Sequence, residues 1–82
     1  MHNAHQFFTH LAEAVGDEID LAVDALTIGV ALGIPNALIV AFVAELAVLG
    51  WIEELPRPPY ARLPVRLTVQ GRELWDRGTL PG

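Results

Sequence analysis

Along the first part of the chain the apolar positions fall at helical spacing. Phe7, Phe8, Leu11, Ala14 and Val15 recur at offsets of three and four, which predicts an amphipathic helix over residues 4–15, ended by Gly16. Asp17 can cap a second helix over 17–26, with Ile19, Ala22, Val23 and Leu26 as its buried stripe and Glu18 and Asp20 at the positive end of its dipole. Thr27 can cap a short third helix over 27–33, and Gly33 can adopt the left-handed angles that close one. After Ile34-Pro35, Asn36 is a candidate cap for a helix over 36–49. Of these fourteen residues only Asn36 and Glu45 are not apolar, and Gly50 ends the run.

The period then shortens to two. Residues 51–55 read as a strand with Trp51 and Ile52 apolar and Glu53 and Glu54 in water, and Val65-Arg66-Leu67 reads as its partner. Pro56-Arg57-Pro58-Pro59 between them cannot donate to a ladder and forms the tip of a wing over 51–67. Thr68 caps a last helix over 68–77, and Gly78 and Pro81 close the chain. Trp51 and Trp75 read as core anchors joining the wing to that helix. The expected fold is mainly α with a small antiparallel β-hairpin, a single domain over residues 1–82.

This order of elements resembles the winged helix-turn-helix domain of bacterial transcription regulators. Ile28-Gly29-Val30-Ala31-Leu32-Gly33-Ile34-Pro35 is similar to the family's first helix and turn, and 36–49 matches its recognition helix in length. Leu49-Gly50-Trp51-Ile52 is similar to the leucine, glycine and apolar pair leading into the wing. Arg66-Leu67-Thr68-Val69-Gln70-Gly71-Arg72-Glu73-Leu74 is similar to the closing wing strand and last helix of the multiple-antibiotic-resistance and phenolic-acid repressor types. The likeness covers residues 20–76 and implies a winged helix that regulates transcription and contacts DNA.

The outward face of the recognition helix departs from that pattern. In the family it carries hydrogen-bonding side chains, because base edges and phosphates are read by hydrogen bonds. Here the outward positions are Asn36, Ala37, Leu38, Val40, Ala41, Ala44, Glu45, Ala47 and Val48, and Asn36 alone can hydrogen-bond without negative charge. Ile39, Phe42, Val43, Leu46 and Leu49 already supply an inward stripe, so the helix is apolar nearly all round and is expected to be covered on both sides. Leaving Leu38, Val40 and Val48 in water forgoes about 1.5–3 kcal/mol for each that could be buried, and the alanines would let a second helix approach closely.

The expected site is therefore a protein interface of Ala37, Leu38, Val40, Ala41, Ala44, Ala47 and Val48, occupied by a second copy in a two-fold homodimer. The alternative is that the first two helices wrap this face within the monomer. An interface is preferred because 82 residues leave little chain to cover two faces.

Charge divides the chain. Residues 1–54 carry eight acids and no base, whereas 55–82 carry all five arginines against Glu73 and Asp76, for a net charge of −5 overall. Any phosphate-binding surface is confined to the last third. Arg57, Arg62 and Arg66, with Tyr60 among them and Asn36 at the helix start, are the candidate DNA contacts, although three phosphate contacts alone would bind weakly and with strong salt dependence. The competing reading is that these arginines form surface ion pairs with the acidic front. Arg72 and Arg77 are expected to be solvated or paired with Glu73 and Asp76.

Composition removes other classes. An apolar content of 52% with 18% charged residues is not that of a disordered chain. With no serine, cysteine or lysine, the usual nucleophiles, thiolate metal sites and disulfides are all excluded. No glycine-rich phosphate loop stands in the chain either, so no enzymatic activity and no cofactor are expected. His2, His5 and His10 are badly spaced for a metal, and the acids Glu13, Asp17, Glu18, Asp20 and Asp24 do not follow a calcium-loop pattern.

Residues 25–44 carry no formal charge and reach the length of a membrane span, but Pro35 interrupts them and acids rather than bases flank them. No basic segment follows Met1 as a secretory leader would require, and a cytoplasmic location is expected. The leading functional expectation is a regulatory or adaptor module acting through protein–protein contact. A DNA-binding regulator using its basic wing is the alternative, and a small membrane protein the least favoured.

Overall fold

The computed structural model describes residues 3–18, 21–56 and 63–78. The first helix, α1 (Ala4–Val15), starts where Asn3 Oδ1 accepts from the Gln6 amide at 2.8 Å and stops at Gly16, whose φ of 61° suits a residue without Cβ. It buries Ala4, Phe7, Phe8, Leu11, Ala12 and Val15, with Ala12 in the stripe in place of Ala14.

Among the described residues, the helix expected over 17–26 is not formed. Val23–Asp24 is a short strand, β1, and the next helix, α2, runs Ala25–Ala31. Val23 pairs with Val65, so a spacing that also suits a helix serves a strand, and Ala22 of the expected stripe is exposed. Asp24, not Asp17 or Thr27, caps α2. Its Oδ1 accepts from the Leu26 amide at 3.1 Å and from the Leu63 amide at 3.2 Å, while the Thr27 hydroxyl donates to Oδ2 at 2.9 Å. One carboxylate thus fixes the start of α2 and the approach to the third strand.

The helix α3 (Asn36–Val48) follows a turn at Gly33, whose φ is 78°, where the Ile34 amide donates back to the Gly29 carbonyl at 3.0 Å. Pro35, rather than Asn36, occupies the cap position, and no side chain caps this helix. Ile39, Phe42, Val43 and Leu46 face the core, but Leu49 lies at the end of the helix and is 42% exposed. Gly29 lets α2 lie directly on α3, since a Cβ there would run into the Ile39 side chain.

Strands β2 (Ile52–Glu54) and β3 (Pro64–Leu67) pair antiparallel, Glu53 opposite Arg66, and β1 adds to the far side of β3. Among the described residues the sheet therefore has three strands in the order β1-β3-β2, one more than the expected hairpin. The closing helix, α4 (Val69–Arg77), is capped by Thr68, whose Oγ1 accepts from the Gly71 amide at 3.0 Å, and ends at Gly78 in the left-handed region. At Gly71 the helix touches the backbone of Trp51, where a Cβ would not fit.

The core gathers Phe7, Phe8 and Leu11 of α1, Ile39, Val43 and Leu46 of α3 and Val65 of β3, and no described polar or charged residue is buried. Trp51 packs at a tilt against Phe8 and His5 with ring centroids 5.3 Å apart in each case, tying the start of the wing to α1, and Trp75 packs on the same core from α4. Among the described residues no helix is long and apolar enough to cross a membrane, because the turn at Gly33 to Pro35 divides the uncharged run between α2 and α3.

Candidate functional site

The first candidate surface is the outward side of α3. Because α1 and α2 pack against the inner stripe, the opposite side lies open: Val48 is 88% exposed, Val40 49% and Leu38 37%, with Asn36, Ala37, Ala41, Ala44 and Glu45 exposed between them. Ala47 differs from the rest, being half-buried against the core. The alternative in which the first two helices cover this face is not what the structure has. Glu45 is the only charged side chain along α3, so the face is apolar with one negative point and no cation.

The wing is the second candidate. Arg66 on β3 donates to Glu53 Oε2 on β2 at 2.8 Å, in the register that sets the two residues opposite each other. Beside this pair lies an open depression of about 260 Å³ lined by Glu53, Arg66, Leu67, Thr68 and Val69. Arg57, Tyr60 and Arg62, the other candidate contacts, lie outside the described residues.

The remaining arginines are engaged elsewhere. Arg77 pairs with Glu73 at 3.7 Å. Arg72 pairs with neither Glu73 nor Asp76 in these bonds; its guanidinium donates to the carbonyls of Gly16 and Glu18 at 3.3 and 3.1 Å, tying α4 to the segment after α1. Among the described residues no three histidine or acidic side chains converge as a metal site, and His5 is held against Trp51.

Sequence reasoning missed the joint role of Asp24, for which the only local signal was an acid three residues before Thr27.

A helix-turn-helix formed by α2 and α3, followed by a β2–β3 wing and a closing helix, is the winged helix-turn-helix fold, here in its MarR-like form. A mutant MarR from E. coli complexed with operator DNA matches it with a TM-score of 0.70 and 19% identity, over 90% of this chain and 49% of that one. RV1404 from Mycobacterium tuberculosis matches with a TM-score of 0.70 and 21% identity, over 96% of this chain and 51% of that one. The chain spans about half the length of each of these proteins. No protein-family model and no curated protein matches the sequence.

Proposed function

We propose that this chain is a DNA-binding winged-helix module of a cytoplasmic transcription regulator, a single unit over its 82 residues with no catalytic activity. The observation that carries the reading is the likeness of its fold to a protein held on operator DNA, joined to Arg66 on β3 and to the sequence between β2 and β3, which carries Arg57 and Arg62. The α3 face has no base-reading side chain except Asn36, so contact through the wing would be chiefly with phosphates, with Tyr60 beside them, and would discriminate little between sequences. Fluorescence anisotropy of a labelled duplex, titrated with salt, tests this. Three phosphate contacts predict a log–log salt slope near −3, and Arg57→Ala and Arg62→Ala should each flatten it by about one. Absence of binding at low salt overturns the proposal.

A second reading is favoured by a different observation, the exposure of Leu38, Val40 and Val48 on a face without cations. On that reading α3 binds protein, and the module is a regulatory adaptor that works alongside or instead of DNA contact. The two readings use different elements and can both hold.

A further inference from the structure

The two wing strands carry opposed charges. Among the described residues, β2 and β3 hold two carboxylates, Glu53 and Glu54, and one guanidinium, Arg66. The register sets Glu53 directly opposite Arg66, and Arg66 Nη2 donates to Glu53 Oε2 at 2.8 Å, the length of a charge-assisted hydrogen bond. Both side chains reach water, and both line the open depression beside Leu67, Thr68 and Val69. Glu54 is exposed one residue further on, opposite the buried Val65 instead of a cation.

We infer that Glu53 is a self-inhibitory contact of the wing: its carboxylate holds the place at Arg66 that a DNA phosphate would take, so Arg66 engages a duplex only when Glu53 is displaced. This inference rests on the DNA-binding reading of the wing and adds what restrains it. Carboxylate and phosphate oxygens both match the donor fork of a guanidinium. An approaching phosphate therefore competes with Glu53, and one that settles beside it meets a like charge. Backbone movement offers little relief, because β3 lies between β1 and β2, and Thr68 just after it is held through its amide and hydroxyl to the carbonyls of Trp51 and Gly50. Exchange of partners falls to the side chains. It is feasible, since an exposed ion pair contributes little in water. While Arg66 keeps Glu53 it neutralises no phosphate, so the salt slope of the wild type falls about one short of the three-contact value.

Fluorescence anisotropy of a labelled duplex against the intact chain, titrated with salt, tests this, with circular dichroism checking the fold of each variant. Glu53→Gln keeps the size of the side chain and removes its charge. It should tighten binding roughly fivefold at low salt and steepen the log–log slope by about one. Glu54→Gln removes the same charge from the same strand at a position opposite Val65, and should tighten binding by less than about twofold with the slope unchanged. In an Arg66→Ala background the effect of Glu53→Gln should shrink to that of Glu54→Gln, which isolates the pair from the net charge. Equal effects of Glu53→Gln and Glu54→Gln, or a gain from Glu53→Gln that survives Arg66→Ala, would overturn the inference and leave the DNA-binding reading standing. Weaker binding by Glu53→Gln would do the same, since the carboxylate would then be orienting Arg66 toward DNA. Absence of binding at low salt by both the wild type and Glu53→Gln would overturn the inference and the DNA-binding reading together.

Discussion

Helices α1 and α3 are nearly equal in length, at 12 and 13 residues, and both fill the same core, yet their outer faces have opposite character. On α1 the positions turned from the core are Gln6, His10, Glu13 and Ala14, and Asn3 caps the first turn. On α3 the corresponding side is Ala37, Leu38, Val40, Ala41, Ala44 and Val48, interrupted by Glu45, with no side-chain cap at its start. The inner stripes are those of any small domain, where burial of each large side chain contributes about 1.5–3 kcal/mol. Folding of the monomer asks nothing apolar of the outer face, so the core does not account for the character of that face on α3.

The largest expected effects test whether the two inner faces are equivalent. Phe8→Ala should destabilise the fold by about 3–5 kcal/mol and Leu46→Ala by about 2–5 kcal/mol, each leaving a cavity in one shared core. Urea denaturation followed by circular dichroism measures both, and a negligible loss for either variant would break the symmetry of the inner faces. A smaller effect concerns the caps. Asn3→Ala removes the acceptor of the Gln6 amide and should cost about 1 kcal/mol, whereas Asn36→Ala, which removes no cap, should cost much less. The smallest effect is expected on the outer face of α3, where Ala44→Lys should change monomer stability by no more than about 0.5 kcal/mol. A large loss there would mean that the monomer itself needs this face.

The two candidate surfaces differ in how far they could be read without coordinates. The outward residues of α3 were legible because helical periodicity is local: once Ile39, Phe42, Val43 and Leu46 face the core, the opposite side follows at 100° per residue. Ala47 and Leu49 were the exceptions, set by where the helix ends and what packs beside it. The wing strands were legible from alternation, but the pairing of Arg66 with Glu53 depends on register, which a one-residue slip would abolish. Arg72 was unreadable for a related reason, since the carbonyls it grips lie more than fifty positions away in the chain.

By itself the sequence determined α1, α3, α4, the two wing strands and their stops, because spacing, caps and glycine turns act within a few residues. The winged helix-turn-helix order and the apolar face of α3 followed from these. Only the tertiary structure decided that residues 23–24 are a strand and not part of a helix, that Asp24 joins α2 to a segment 39 residues away, and that Gly71 is needed where α4 meets Trp51. Each of those depends on contacts between distant parts of the chain, where local preference is weak and the packing partner determines the outcome.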